Sequence, residues 1–235
     1  MSLVVTVYVP SGIVMAGDSR VTATRREEKK EEHQTRIREQ QVVLSDYGYK
    51  VIALDAAPVG ISCFDAAIIN NEPIDSHIRR FAEQALAKGD NVSQVAEKLV
   101  SYFNSRFPNV PVGFHVCGYQ VEKNISAPYI YTCHTVKETS PARRNVNPQG
   151  NVVYGLTFSG ETSVIQRLIS KDFVPRLDAM PLQDAIDYAI HLIRTTVDTL
   201  RFEPRFPTVG GAIDILVITP PGKLNFVQRK ELHGG

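Results

Sequence analysis

A hydroxyl-bearing residue, Ser2, stands directly before a run of strand-forming residues, and a carboxylate, Asp18, ends the run that follows. Leu3 to Val9 is rich in β-branched side chains and stops at Pro10-Ser11-Gly12, after which Gly12 to Asp18 reads as a second strand. The runs are of similar length, so a short turn folds them into a hairpin whose outer ends, Ser2 and Asp18, lie near one another. A serine left first after loss of Met1 would carry a hydroxyl and a free amine in one residue. An α-amine titrates at about 7.7–8.0, so at neutral pH part of it is unprotonated and can take the hydroxyl proton, directly or through water. A neighbouring carboxylate would steady the charges of such a site. Spacing alone favours a plainer reading, in which Ser2 is a small residue after the initiator and Asp18 an ordinary strand-end carboxylate.

Other chemistry is poorly represented. There is no Walker loop, no GxGxxG, no HExxH and no GxSxG elbow. His115, Cys117, Cys133 and His134 suggest zinc at first sight. On a strand, however, Cys133 and His134 point to opposite faces, so both cannot join the other two, and no metal or other cofactor is expected. Lys+Arg 26 against Asp+Glu 25 in 235 residues leaves a net charge of +1, which gives no electrostatic footprint for nucleic acid or anionic lipid. No apolar run approaches the roughly 20 residues that span a bilayer. Neither nucleic acid nor membrane is therefore expected as a partner. The three cysteines, Cys63, Cys117 and Cys133, fit reduced thiols in a cytoplasm better than a disulfide framework.

The elements around the hairpin follow from periodicity. Arg25-Arg26-Glu27-Glu28-Lys29-Lys30-Glu31-Glu32 repeats its sign every four residues and inverts it every two. A helix would stack like charges on one face, so the segment reads as an exposed loop or protruding ribbon, a charged insertion at about 23–36. Gln41 to Ser45 and Lys50 to Ala57 read as a second hairpin around Asp46-Tyr47-Gly48-Tyr49. Apolar stripes predict helices over about Ser76 to Lys88, Val92 to Phe107, Ser163 to Ser170 and Leu182 to Leu200, with Asn91 placed to cap the second. Further strands are expected over Gly113 to Tyr119, Tyr129 to Val136, Val152 to Phe158, Ile213 to Thr219 and Leu224 to Gln228. Hairpins at both ends with segregated helix pairs imply an α+β layered domain with antiparallel sheets, and no linker divides residues 1–235.

Several of these segments carry a resemblance. Gly12-Ile13-Val14-Met15-Ala16-Gly17-Asp18-Ser19-Arg20 resembles the second strand of proteasome β subunits and of the bacterial peptidase HslV. Lys50-Val51-Ile52-Ala53 is similar to their fourth strand, and Gly155-Leu156-Thr157-Phe158-Ser159-Gly160-Glu161 to a strand-to-helix turn. Val209 to Thr219 resembles the penultimate strand. These segments run in the same order over nearly the whole chain. The resemblance is to the proteasome-like N-terminal nucleophile (Ntn) hydrolases, including bacterial proteins such as Anbu and the β-proteobacterial proteasome homologue. It implies a four-layer αββα sandwich of two antiparallel sheets between helix layers.

The same resemblance assigns roles. Ser2 falls where the family has its N-terminal threonine nucleophile, Asp18 on the active-site aspartate, and Arg20 on an ordering arginine. The family lysine falls on Gln40, a neutral amide that cannot lower a neighbouring pKa as a cation would. Ser159 falls near a supporting serine. Val21 and Thr22 are expected to border the substrate pocket, with Leu54 and Ala56 in the segment whose amides would form an oxyanion hole. The function implied is a self-compartmentalising peptidase acting on polypeptides, assembled as a homo-oligomeric double ring of six or seven subunits per ring; an unfoldase ATPase is compatible as a partner, though no residue encodes one. Two alternatives stay open: a catalytically silent ring serving as chamber or scaffold, motivated by Gln40 and by Phe206 and Val209 where the family has an aspartate and a serine, and a small-molecule amidase on the same fold.

Overall fold

A computed structural model describes residues 2–31, 34–122, 124–169 and 175–232, with backbone alone between 26 and 38. Met1, Glu32 and Ser170, on which parts of the expectations fall, lie outside the described residues. The chain is an α+β protein built around two five-stranded antiparallel sheets.

The opening hairpin forms as its sequence dictates, with β1 (Leu3–Val9) against β2 (Gly12–Gly17) and Val4 opposite Gly17. Every residue of both strands is buried, which is why neither shows an apolar–polar alternation. The charged segment belongs to a long two-stranded ribbon, β3 (Val21–Glu31) with β4 (Gln34–Ser45). Extended backbone suits it because a helix would set like charges on one face.

The expected second hairpin does not form. Gln41 to Ser45 belongs to β4 and pairs with β3, whereas β5 (Val51–Leu54) pairs with β6 (Val59–Asp65) in the other sheet. After the short pair β7 (Ile68–Ile69) and β8 (Glu72–Pro73) come two helices, α1 (Ile74–Ala85) and α2 (Val92–Arg106). Asn91 caps α2: its side chain accepts from the Gln94 amide at 3.0 Å while the Gln94 side chain accepts from the Asn91 amide at 3.0 Å. The strands β9 (Val112–Glu122), β10 (Ile125–His134) and β11 (Glu138–Arg143) complete the second sheet, in the order β11-β10-β9-β6-β5. The chain then returns to the first sheet through β12 (Gly155–Gly160), passes α3 (Ser163–Leu168) and α4 (Leu182–Leu200), and ends in β13 (Asp214–Thr219) and β14 (Lys223–Gln228). The first sheet runs β12-β1-β2-β13-β14.

Three apolar clusters hold these pieces. Leu3, Val5, Val7 and Val9 pack against Ala185, Ala189 and Leu192 of α4. Each fully buried aliphatic side chain of this kind contributes about 1.5–3 kcal/mol relative to exposure. Ile61, Phe114 and Val116 of the second sheet pack against Leu99 and Phe103 of α2. Tyr8, Met15 and Leu216 of the first sheet meet Val51, Cys117 and Ile130 of the second. The approach is so close at Gly60 that a Cβ there would stand 2.6 Å from the Met15 sulfur. Among the described residues, no helix is long and apolar enough to cross a membrane.

Candidate active site

The antiparallel register that sets Val4 opposite Gly17 brings Asp18 beside the start of β1. Its carboxylate, 1% exposed, gathers four donors. Oδ1 accepts from the Leu3 amide at 2.9 Å and from Lys50 Nζ at 2.6 Å, while Oδ2 accepts from the Arg20 and Gly210 amides at 3.2 and 3.1 Å. A carboxylate buried this deeply is tolerable only when paired and hydrogen-bonded, and both conditions are met.

Lys50 comes from the other sheet. It stands immediately before β5, its carbonyl accepting from the Cys63 amide at 2.9 Å, and its side chain is 3% exposed. The ammonium therefore reaches from the second sheet to the hairpin of the first. Ser2 is held by its own backbone: its carbonyl accepts from the Glu161 amide at 2.8 Å, against the end of β12. Gly160 makes that approach possible, with φ +95° and no Cβ; a Cβ there would fall 1.8 Å from the Ser2 oxygen.

Ser2 and Lys50 both line a cavity of about 330 Å³. The rest of its wall is largely apolar, including Val21, Leu44, Tyr49, Ala66, Ile68 and Ile74. Cys63 also lines it, its thiol pushed up to about 12 by burial and so held protonated near neutral pH. Arg20 ties two loops behind the site together. Its guanidinium grips Asp46 through Nε to Oδ1 at 2.7 Å and Nη2 to Oδ2 at 3.1 Å, and Nη1 donates to the Pro207 carbonyl at 3.2 Å. The hydrogen bond from Arg20 holds the Asp46 carboxyl below the usual range, and Asp46 in turn raises Arg20.

Of the residues singled out in the sequence, Ser2, Asp18, Arg20 and Val21 come together here. The others do not. Gln40 stands on the ribbon opposite Arg25 and is exposed, so the cation beside Asp18 is Lys50 instead. The ribbon is the reason: it adds residues between Asp18 and Lys50, so a register that places the lysine within the ribbon lands on Gln40. Thr22 lies next to Val21 but is not among the cavity-lining residues. Leu54 is buried in the cluster beneath α1 and α2, and Ala56 is exposed in the β5–β6 turn. The segment after β6, Ala66-Ala67-Ile68, occupies the cavity wall where Leu54 to Ala57 was expected. Ser159 pairs with Val4 in the β1–β12 ladder and shares a hydrogen bond of 2.9 Å with His115 Nε2, whose Nδ1 meets Thr6 Oγ1 at 2.9 Å. Burial, with Arg144 nearby, lowers His115 to about 3, so it is neutral there.

A lysine set against the apolar run Val51-Ile52-Ala53-Leu54 is visible in the sequence, but no local pattern pairs it with Asp18, and the Asp46 partner of Arg20 has no signal at all.

No family model matches the chain, and no curated protein matches it. Among solved structures, a Gly-1 mutant of Anbu from Hyphomicrobium sp. strain MC1 superposes with a TM-score of 0.62 over 97% of this chain and 87% of that one, at 14% identity. The chain has the fold of Anbu. Anbu is a bacterial proteasome-like protein of the Ntn hydrolase type. At that identity, the likeness to Anbu speaks for backbone arrangement, and the chemistry rests on the residues described above.

Proposed function

We propose that the chain is a cytoplasmic, proteasome-like peptidase subunit that cleaves peptide bonds with Ser2 as an N-terminal nucleophile. It would be a single domain layered as an αββα sandwich and assembled in a double ring of six or seven subunits per ring. The observation that carries this reading is the buried Lys50–Asp18 contact of 2.6 Å on the wall of the cavity that Ser2 lines. With Met1 removed, the Ser2 amine takes the hydroxyl proton as Oγ bonds to the substrate carbonyl carbon. The C–N bond then breaks, the proton passes to the departing amine, and water hydrolyses the remaining ester, returning the hydroxyl. Lys50 favours the unprotonated amine by charge repulsion, and Asp18 fixes Lys50 and the Leu3 amide in place. A backbone amide of the Ala67–Ile68 stretch would receive the developing oxyanion.

Lys50 removes one of the two motives for a silent ring, the neutral residue at the lysine position; the other, Phe206 and Val209 in place of an aspartate and a serine, stands. A small-molecule amidase is less favoured, because the apolar cavity suits a side chain of a polypeptide. The test combines intact mass with hydrolysis of a broad fluorogenic peptide set by the wild-type chain and by Ser2→Ala. Loss of Met1 and abolition of cleavage in Ser2→Ala are expected. Retained Met1 in every preparation, or cleavage that survives the substitution, refutes the assignment.

A further inference from the structure

Residues 65–69, whose Ala66, Ala67 and Ile68 wall the cavity, are gripped at both ends by buried histidines that the chemistry above leaves unused. Asp65 ends β6 with φ +71°, a left-handed conformation that a residue other than glycine holds only where its surroundings enforce it. Its Oδ2 accepts from His134 Nε2 at 3.0 Å. His134 ends β10 and is 4% exposed. Its Nδ1 accepts from the Val136 and Lys137 amides at 3.0 and 3.1 Å, which leaves the ring proton on Nε2, facing Asp65. At the other end, the Ile69 carbonyl accepts from Nε2 of His77, buried on α1, at 3.1 Å. The Arg80 guanidinium, which can only donate, meets His77 Nδ1 at 3.4 Å and Glu72 of β8 at 2.9 Å.

Between the two grips, the register singles out one amide. Ile69 pairs with Glu72 and Ile68 with Pro73, while the Ile74 amide donates to the Ala67 carbonyl at 3.0 Å. Hydrogen-bonded and non-hydrogen-bonded pairs alternate along an antiparallel ladder, so Ile68 and Pro73 form a non-hydrogen-bonded pair. Pro73 has no N–H to offer, and the Ile68 N–H points away from β8. Ile68 lines the cavity together with Ser2.

We propose that His134 and His77 are positioning residues for peptide hydrolysis, holding residues 65–69 so that the Ile68 N–H is fixed as the donor to the developing oxyanion. The proposal rests on Ser2 as nucleophile and goes beyond it by naming what aims the donor. Each imidazole acts through the backbone, His134 through the left-handed turn at Asp65 and His77 through the Ile69 carbonyl. The oxyanion forms only on the way through the transition state, so a donor displaced by about 1 Å costs on the order of 10²-fold in rate.

Three kinds of variant test it. His77→Leu and His134→Leu remove the donors, whereas His77→Gln and His134→Gln keep an N–H near the Nε2 position. Asp65→Gly releases the grip of His134, and because glycine accepts φ +71° without strain it is expected to fold. In both Leu variants and in Asp65→Gly, kcat per folded molecule should fall by about 10–10²-fold with KM within about threefold of wild type. A peptide aldehyde, whose adduct with Ser2 carries the same oxygen, should lose affinity by a similar factor. The Gln variants should return to within a few-fold of wild type, a recovery that a role in stability alone does not predict. Cleavage that survives Ser2→Ala refutes the nucleophile and this proposal together. Ser2-dependent cleavage with kcat unchanged in Asp65→Gly, or in either Leu variant, overturns the positioning role alone. So does a loss carried by KM with the aldehyde affinity intact.

Discussion

Two buried lysine–aspartate pairs sit on neighbouring strands of the same sheet, with Gly17, just before Asp18, directly opposite Asp214. Asp18 and Lys50 form one; Asp214 and Lys230 form the other, both side chains of the latter being almost fully enclosed. Burial pulls the Lys230 ammonium below the usual lysine range, opposed by its bond to Asp214. The pairs are chemically alike and differently wired. Asp18 has three backbone donors besides Lys50, whereas Asp214 has, besides the Lys230 ammonium, the backbone amide of the same residue at 2.8 Å. Lys50 borders the cavity with Ser2, while Lys230 lies 4.2 Å from the centre of the Tyr49 ring, behind the cavity wall. An ion pair therefore takes its role from what it faces: the first meets a reactive residue and an opening, the second fastens the chain end to the sheet.

Removing each lysine should separate the two roles. Lys50→Met is expected to lower peptide hydrolysis by about 10-fold or more near neutral pH, because each pKa unit the Ser2 amine regains without the neighbouring cation cuts its unprotonated fraction up to about tenfold. Its stability cost should be moderate, because the Leu3, Arg20 and Gly210 amides still solvate Asp18. Steady-state kinetics beside urea unfolding reads both numbers. A variant as active as wild type would remove Lys50 from the mechanism.

Lys230→Met should do the reverse. It leaves the Asp214 carboxylate buried with one backbone donor, and breaking a buried pair from one side typically costs about 3–5 kcal/mol. The rate per folded molecule should stay within a few-fold of wild type. Asp214→Asn combined with Lys230→Met removes both charges and should recover most of the lost stability, since neither partner is then stranded. If the double variant is no more stable than Lys230→Met, the pair is not what fastens the C-terminal segment.

The same contrast marks what the sequence makes legible. Local patterns are read well: β1 and α4 fall on Leu3–Val9 and Leu182–Leu200, and Asn91 caps α2. These follow from β-branched runs, a continuous apolar stripe and a capping side chain, all contained in a few residues. Pairings between distant segments are not legible in this way. Val59–Asp65 was not expected as a strand because Gly60, Ser62 and Cys63 interrupt its apolar pattern, and its partner β9 lies more than forty residues on. Glu138–Arg143 escaped notice because an edge strand carries no apolar alternation. At the site, Ser2 and Asp18 could be found together because one hairpin sets them side by side. Lys50 could not, because its position opposite Asp18 depends on the packing of one sheet on the other and on the length of the ribbon between them.

A smaller effect distinguishes the cavity from the buried chain Thr6–His115–Ser159. His115 is fully buried and neutral, with its pKa lowered to about 3 by burial and by Arg144. In the unfolded chain an imidazole titrates near about 6.5. Below that value the unfolded state binds a proton that the folded state does not, so stability falls as pH drops. The loss begins near about pH 6.5, runs at about 1.4 kcal/mol per pH unit and ends near pH 3, where the folded imidazole also protonates. His115→Gln keeps a donor and an acceptor between Thr6 and Ser159 but does not titrate. Its unfolding free energy, measured by urea between pH 7 and pH 4, should therefore decline less steeply than that of the wild type, by the slope of up to one proton. Because His115 reaches Ser159 rather than Ser2, the same substitution should leave the acid limb of the peptide-hydrolysis profile in place. A shifted limb would join His115 to the Ser2 chemistry after all.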